Sequence, residues 1–247
     1  MQRNKVYLGD CTDVLPKIVP GTVDLIFADP PFNIGMKYKK TNDNKPPQQY
    51  KDWCRTWIKQ CHKVLKRDGA IWIAINDENV ANMYLALEEA GFCFRNWVVW
   101  FYAFGQNQRK KYGRCHTHIL YFTMHKKNFT FNADPVRVPS ARQTVYNDKR
   151  ANPFGKVPDD VWTEYPRVCG SYRERNDVDH PCQMPEDLLK RFILSTSNPG
   201  DLVLDPFGGT GTTPVVAKLN GRDYMAIDDT KEHVAWMNER LLAIDDA

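Results

Sequence analysis

Leu202-Val203-Leu204-Asp205-Pro206-Phe207-Gly208-Gly209-Thr210-Gly211-Thr212-Thr213 reads as a buried strand, a glycine-rich turn and the start of a helix. In an open α/β sheet, ligands sit at the carboxyl ends of the strands. Glycines there let the backbone come close to a ligand, and the helix start offers free N–H groups to an anion. The next predicted strand, Tyr224 to Ile227, ends in Asp228. Its distance from the turn is that of the acid that grips ribose hydroxyls in nucleoside-binding folds. A triphosphate loop needs a Lys after the last glycine, but Thr212 follows Gly211; a dinucleotide fingerprint needs a third glycine, and Pro214 stands in its place. S-adenosyl-L-methionine matches the charges. Its ribose suits Asp228, its ammonium suits Asp205, and its carboxylate suits the backbone N–H groups, with Phe207, Gly208, Gly209, Thr210, Gly211 and Thr212 forming the loop around it.

A second strand-end motif lies far upstream. Val23-Asp24-Leu25-Ile26-Phe27-Ala28 is nearly all apolar and runs into Asp29-Pro30-Pro31-Phe32. It is expected to open at the same sheet edge. A carboxylate and a backbone carbonyl side by side can accept both protons of an exocyclic amine. This draws the nitrogen toward tetrahedral geometry and frees its lone pair. Asp29 supplies the carboxylate, Pro30 the carbonyl, Pro31 further stiffness and Phe32 a face for an unstacked base. The work is positioning and electrostatics, with no covalent nucleophile and no metal.

Between these motifs the pattern alternates strand and helix. Val6 to Leu8 reads as a strand, and Met36 to Gln49 as a polar loop. Tyr50, Trp53, Trp57, Cys61 and Val64 follow helical spacing, closed by Gly69. Ala70 to Ile75 is a buried strand; Val80, Met83, Tyr84 and Leu87 mark a helix ending at Gly91; strands follow near Trp97 to Phe101 and Ile119 to Thr123. After residue 180, Leu188, Leu189, Phe192 and Ile193 give a helix face, Val215, Val216 and Leu219 another, and Val234, Met237 and Leu241 a last one. The expected fold is α/β, a doubly wound, mainly parallel sheet.

The chain has 247 residues, enough for one sizeable core with a small insertion. No apolar run approaches the roughly 18 residues of a membrane span, and the start carries no secretion signal, so a soluble cytoplasmic protein is expected. Seven cysteines, none in a CxxC pair, read as reduced thiols; Cys115-His116-Thr117-His118 is not a zinc signature. Net charge is +4, but 105–178 holds 14 Lys and Arg against 7 Asp and Glu, and the rest 20 against 23. A basic middle in a near-neutral body suits a polyanionic partner.

With these residues in place, the sequence resembles the β-class amino-group DNA methyltransferases, which carry a (D/N/S)PP(Y/F/W) motif early and a DPF.G.GTT motif late. The resemblance covers nearly the whole chain. It implies a Rossmann-like S-adenosyl-L-methionine-dependent fold with 1–104 and 179–247 forming the catalytic and cofactor-binding domain. Residues 105–178 would be an inserted target-recognition region. It further implies cofactor contacts from Gly9-Asp10-Cys11, through Asp10 and Cys11, from Asp29, and from His180-Pro181-Cys182-Gln183-Met184-Pro185, through His180 and Gln183. Many members have Lys where Met184 stands, so the carboxylate contact there falls to Gln183, Thr210 or Thr212. The DNA-binding candidates are Arg109, Lys110, Lys111, Arg114, Arg137, Arg142, Arg150 and Arg173. Asp at the head of the catalytic motif favours adenine N6 in double-stranded DNA over cytosine N4. A homodimer, and a cognate restriction endonuclease acting on the same site, are expectations of the same kind, as is a prokaryotic or phage source.

Three other readings fit less well. Pro181-Cys182-Gln183 and Glu78-Asn79-Val80 match the letters of cytosine-C5 methyltransferase motifs, but in reverse order. RNA and release-factor methyltransferases place the cofactor loop before the catalytic motif. A non-enzymatic DNA-binding module would show a helix-turn-helix or zinc finger, and the sequence has neither.

Overall fold

The computed structural model describes residues 1–36, 43–106, 108–168 and 183–245. Eight strands form one sheet: β1 (Lys5–Leu8), β2 (Val23–Ala28), β3 (Leu65–Ile75), β4 (Cys93–Gln106), β5 (Arg114–Thr123), β6 (Val161–Trp162), β7 (Leu202–Asp205) and β8 (Asp223–Asp228). Their order is β1-β8-β7-β2-β3-β5-β4-β6. All neighbours are parallel except β5, which runs antiparallel to both β3 and β4. The doubly wound, mainly parallel sheet read from the sequence is therefore the fold observed.

Helices cover both faces. α1 (Cys11–Val14), α2 (Pro47–Val64) and α3 (Val80–Glu89) pack on one side, against Ile26, Ala28, Ile71, Ile73 and Ile75. α5 (Glu186–Thr196), α6 (Thr212–Leu219) and α7 (Lys231–Asp245) pack on the other, against Leu25, Phe27, Trp72, Val203 and Ala226. The alternation of β2 between these two cores is why its sequence is almost unbroken in apolar character. A one-turn helix, α4 (Ala141–Thr144), stands outside both layers; Ser140 caps it and Gln143 closes a capping box.

Three details depart from the sequence reading. α2 starts at Pro47, inside the expected loop Met36 to Gln49, because proline is at home in a first turn where no N–H partner is needed. Gly69 does not close the helical unit but lies within β3, which begins at Leu65. A Cβ at Gly69 would sit 2.9 Å from the Asp24 carbonyl oxygen, so glycine here admits close approach of β2. β4 and β5 run well past the short strands expected, as a long antiparallel pair, so the segment 105–178 contributes a strand to the middle of the sheet.

The chain crosses the sheet so that β2 and β7 lie side by side, with Leu25 opposite Val203 and Ile26 opposite Leu204. Strand order reverses there, which makes the carboxyl ends of these two strands the expected binding crevice. At the opposite ends, Asp24 fixes the alignment. Its carboxylate accepts from Leu202 N at 2.8 Å and pairs with Lys66 Nζ at 2.5 Å.

Candidate active site

The Asp29-Pro-Pro-Phe and Asp205-Pro-Phe-Gly turns leave β2 and β7 on the same edge, and one cavity of about 250 Å³ opens between them. Asp29, Pro30, Pro31 and Phe32 line one side. Asp205, Phe207, Gly208, Gly209, Thr210, Thr212 and Asp228 line the other, joined by Gly9, Asp10 and Cys11 from the end of β1. β1 reaches this edge because Leu8 pairs with Asp228, and Gly9 N donates to Asp228 O at 2.9 Å.

The first turn is built to expose two acceptors. The Pro31 carbonyl accepts from Tyr50 Oη at 2.7 Å and the Phe32 carbonyl from Asn79 Nδ2 at 2.8 Å. Among the described residues, nothing donates to the Asp29 carboxylate or to the Pro30 carbonyl between them. Burial, followed by the charge of Asp205, pushes Asp29 from the usual carboxylate range up to about 7. Beyond the turn, Asn33 takes a left-handed conformation (φ 58°). The buried Asp43 holds this stretch, accepting from the N–H groups of Asn33, Ile34 and Met36 at 2.6, 3.1 and 2.9 Å. Sequence reasoning missed Asp43 because nothing in a polar loop marks which acid turns inward.

The second turn is held by its own acids. Asp205, only 3% exposed, accepts from Phe207 N at 2.9 Å and from Thr213 Oγ1 at 2.6 Å. Burial nevertheless dominates and raises it to about 7, opposed by those two bonds and assisted by the charge of Asp228. Asp228 accepts from Gly209 N and Thr230 N, both at 2.9 Å, and lies 2.9 Å from His233 Nδ1. Much of its acceptor capacity thus goes to fixing the loop, which leaves limited room for a ribose hydroxyl. Gly211 adopts φ 80°, and a Cβ there would collide with Met237 at 2.6 Å; Gly208 faces the same side chain. Part of the glycine requirement is therefore packing under α7. Phe207 packs edge-on against Trp57 and near Trp53, which also lines the cavity.

The chain matches the DNA methylase model for N6 and N4 amino-group enzymes over residues 23–239. The chain belongs to the N6/N4 DNA methylase family. Type II methyltransferase M.HpaI of Haemophilus parainfluenzae is 39% identical over 238 residues, 96% of this chain and 74% of that protein. DNA adenine methyltransferase YhdJ of Escherichia coli K12 is 39% identical over 241 residues, 94% of this chain and 81% of that protein. Among solved structures, the cytosine-N4-specific PvuII DNA methyltransferase shares the fold at a TM-score of 0.74 and 19% identity, covering 100% of this chain and 91% of that one. The M1.HpyAVI–SAM complex does so at 0.63 and 21%, covering 96% and 98%. This methylase acts on DNA and takes its methyl group from S-adenosyl-L-methionine.

The cavity fits that donor. A sulfonium and an ammonium are cations, and five aspartates among the described residues line the cavity, Asp10, Asp29, Asp205, Asp228 and Asp229, of which Asp29 and Asp205 are poorly solvated. The Thr210 and Thr212 hydroxyls lie 3.3 Å apart at the start of α6, on the side suited to a carboxylate. Gln183 is buried and bridges to Val168, while Met184 lines the cavity. Asp10 caps α1, accepting from Thr12 N and Oγ1 at 2.7 and 2.6 Å. Cys11 is buried and its thiol is pushed far up by burial, so it stays protonated. His180 and Arg173 lie outside the described residues.

The basic candidates divide. Arg114 pairs with Asp77 and Glu78 at 2.8 and 2.9 Å and lines the cavity. Arg137 pairs with Asp134 at 2.8 Å, Arg150 with Asp148 at 3.0 Å, and Lys111 lies 3.8 Å from Glu78. Arg109, Lys110 and Arg142 are exposed. The third wall of the cavity comes from β3, β4 and β5, through Asn76, Tyr102, His116 and Thr117, with Arg167 packed over the Tyr102 ring. From sequence, His116 and Thr117 were weighed only as part of a metal-ligand spacing and set aside, and Asn76, Tyr102 and Arg167 were not assigned to a site, because their convergence depends on β5 inserting between β3 and β4. No helix among the described residues is long and apolar enough to cross a membrane.

Proposed function

We propose that this methylase modifies adenine N6 in double-stranded DNA, at a site it selects by sequence. The observation that carries the reading is the pair of acceptors with no donor among the described residues, the Asp29 carboxylate and the Pro30 carbonyl, on residues that line the same cavity as the Asp205 turn. A DNA base must leave the duplex stack to reach such a recess. Phe32 gives it an aromatic face, and Asp29 and Pro30 accept its two amine protons. As the amine lone pair is drawn out of conjugation, Asp29 takes the proton the nitrogen gives up. When bound, S-adenosyl-L-methionine supplies an electrophilic methyl group on its sulfonium. Asp205 faces the ammonium, Thr210 and Thr212 the carboxylate, Asp228 with Asp10 the ribose and adenine side, and Phe207 the adenine ring.

Adenine is favoured by Asp at the head of the catalytic turn and by the relative YhdJ, whose name specifies adenine. The region 105–178 would bring DNA to the cavity, with exposed Arg109, Lys110 and Arg142 serving phosphates. Arg114, Arg137 and Arg150 would exchange their present carboxylate partners for DNA on binding. The type II names of several relatives favour a cognate endonuclease. Nucleoside mass spectrometry of DNA from cells expressing the chain tests the base. N6-methyladenine is the expected product; N4-methylcytosine in its place overturns the assignment.

A further inference from the structure

The two histidines of Cys115-His116-Thr117-His118 are on the same face of β5, and a chain of hydrogen bonds runs through them. Trp97 Nε1 lies 2.9 Å from His118 Nδ1. An indole N–H can only donate, so His118 Nδ1 must be an acceptor and a neutral His118 carries its proton on Nε2. That nitrogen lies 3.3 Å from His116 Nε2. His116 Nε2 must then accept, which leaves the His116 proton on Nδ1. Protonating His116 would set two N–H groups against each other unless His118 changed tautomer, and Trp97 opposes that change.

The surroundings do not reverse this logic. The charged groups near the pair are Arg114 on the same strand and Asp77 and Glu78 in the turn after β3, and Arg114 is paired with both acids. Trp97 and Phe101 face the pair from β4, and Tyr84 of α3 stacks on Trp97. Burial and the proximity of His116 hold His118 below the usual imidazole range. His116 itself opens onto the cavity shared with Asp29, Pro30 and Phe32.

We infer that His116 is an Nδ1–H donor, fixed in that tautomer by the Trp97–His118 relay, that reads a ring nitrogen of the target base. This deepens the proposed function and rests on it, since it needs the base in the cavity. Two ring acceptors flank the amine, N1 and N7; His116 is assigned to N1, on the Watson–Crick edge freed when the base leaves its pair.

Two experiments test this. The first uses the DNA-free enzyme with ¹⁵N-labelled histidine, followed by NMR from pH 5.5 to 8. The neutral form of His116 should be the single tautomer protonated on Nδ1; in Trp97→Phe both tautomers should appear. A neutral His116 protonated on Nε2 in the parent, or a tautomer unchanged in Trp97→Phe, overturns the relay, whatever the enzyme methylates. The second uses duplexes with 1-deazaadenine at the mapped target. The parent should lose about tenfold in kcat/KM on the analogue, the worth of one hydrogen bond to a buried group. His116→Phe should be that much slower on adenine and lose nothing more on the analogue, and His116→Asn should recover part of the rate. Equal penalties for the analogue in the parent and in His116→Phe overturn base reading. Absence of any methylated adenine instead removes the proposed function and leaves the NMR result standing.

Discussion

Asp205→Asn separates the charge of the cofactor turn from its shape. The asparagine oxygen can keep the bond from Phe207 N, and its amide can donate to Thr213 Oγ1, so both partners of Asp205 survive. What disappears is the charge. In the empty protein Asp205 ionises near 7; an ammonium beside it should return it toward the ordinary carboxylate range of about 4. A shift of about three pK units corresponds to roughly a thousandfold in affinity, or about 4 kcal/mol, as an upper bound. Asp205→Asn should therefore bind S-adenosyl-L-methionine about 100- to 1000-fold more weakly at pH 8. The parent should itself weaken about tenfold between pH 8 and pH 6, because only about one molecule in eleven is ionised one unit below the midpoint. Calorimetric titration at both pH values measures this, best in an Asp29→Asn background that removes the neighbouring acid titrating in the same range. The sign for stability is opposite. A carboxyl whose folded value is raised loses stability as pH climbs from about 4 through 7, and both Asp205 and Asp29 are of this kind; in the Asp29→Asn background the cofactor-free protein should therefore still weaken over that window, and adding Asp205→Asn should remove the loss. Unchanged affinity in Asp205→Asn, or the same pH slope in both proteins, would refute the reasoning.

Other outcomes follow from the same geometry. Asp29→Asn should lower the methyl-transfer rate by at least 10²- to 10³-fold, about the effect of losing one preorganised electrostatic group, while calorimetry still detects cofactor binding; near-parental turnover in a labelled-methyl assay would remove Asp29 from its role. Asp43→Ala strips an acceptor from three backbone N–H groups and should cost about 2–4 kcal/mol in urea unfolding. A loss below about 0.5 kcal/mol would show that the 33–36 stretch does not depend on Asp43. Phe207→Ala should weaken cofactor binding about tenfold and leave the DNA affinity of the cofactor-free protein unchanged, measured by fluorescence anisotropy.

The two reacting turns were legible because each follows an apolar strand and carries residues with narrow chemical uses. Asp29 and Asp205 could be assigned to one edge from the rule that parallel strands deliver ligands at their carboxyl ends. The third wall was not legible. Tyr102, His116 and Thr117 meet in the β4–β5 hairpin, but they face the cavity only because β5 also pairs antiparallel with β3, Ile75 opposite His118, a pairing of residues far apart in the chain. Gly69 was misread as a helix stop because its reason, the Asp24 carbonyl of another strand, is nonlocal. Charge counting likewise marked the basic middle but not which arginines already face carboxylates, as Arg114 does.

The neighbour relation of β2 and β7 also bears on how the protein is made. The flank of β2 that will meet Val203 and Leu204 stays unpaired on the ribosome until β7 has emerged. Throughout that interval Leu25, Ile26 and Phe27 offer an apolar strand edge of the kind that seeds aggregation. The enzyme's two halves of chemistry thus come together only once β7 is made, and until then the nascent chain is in need of chaperoning at the strand on which its activity depends.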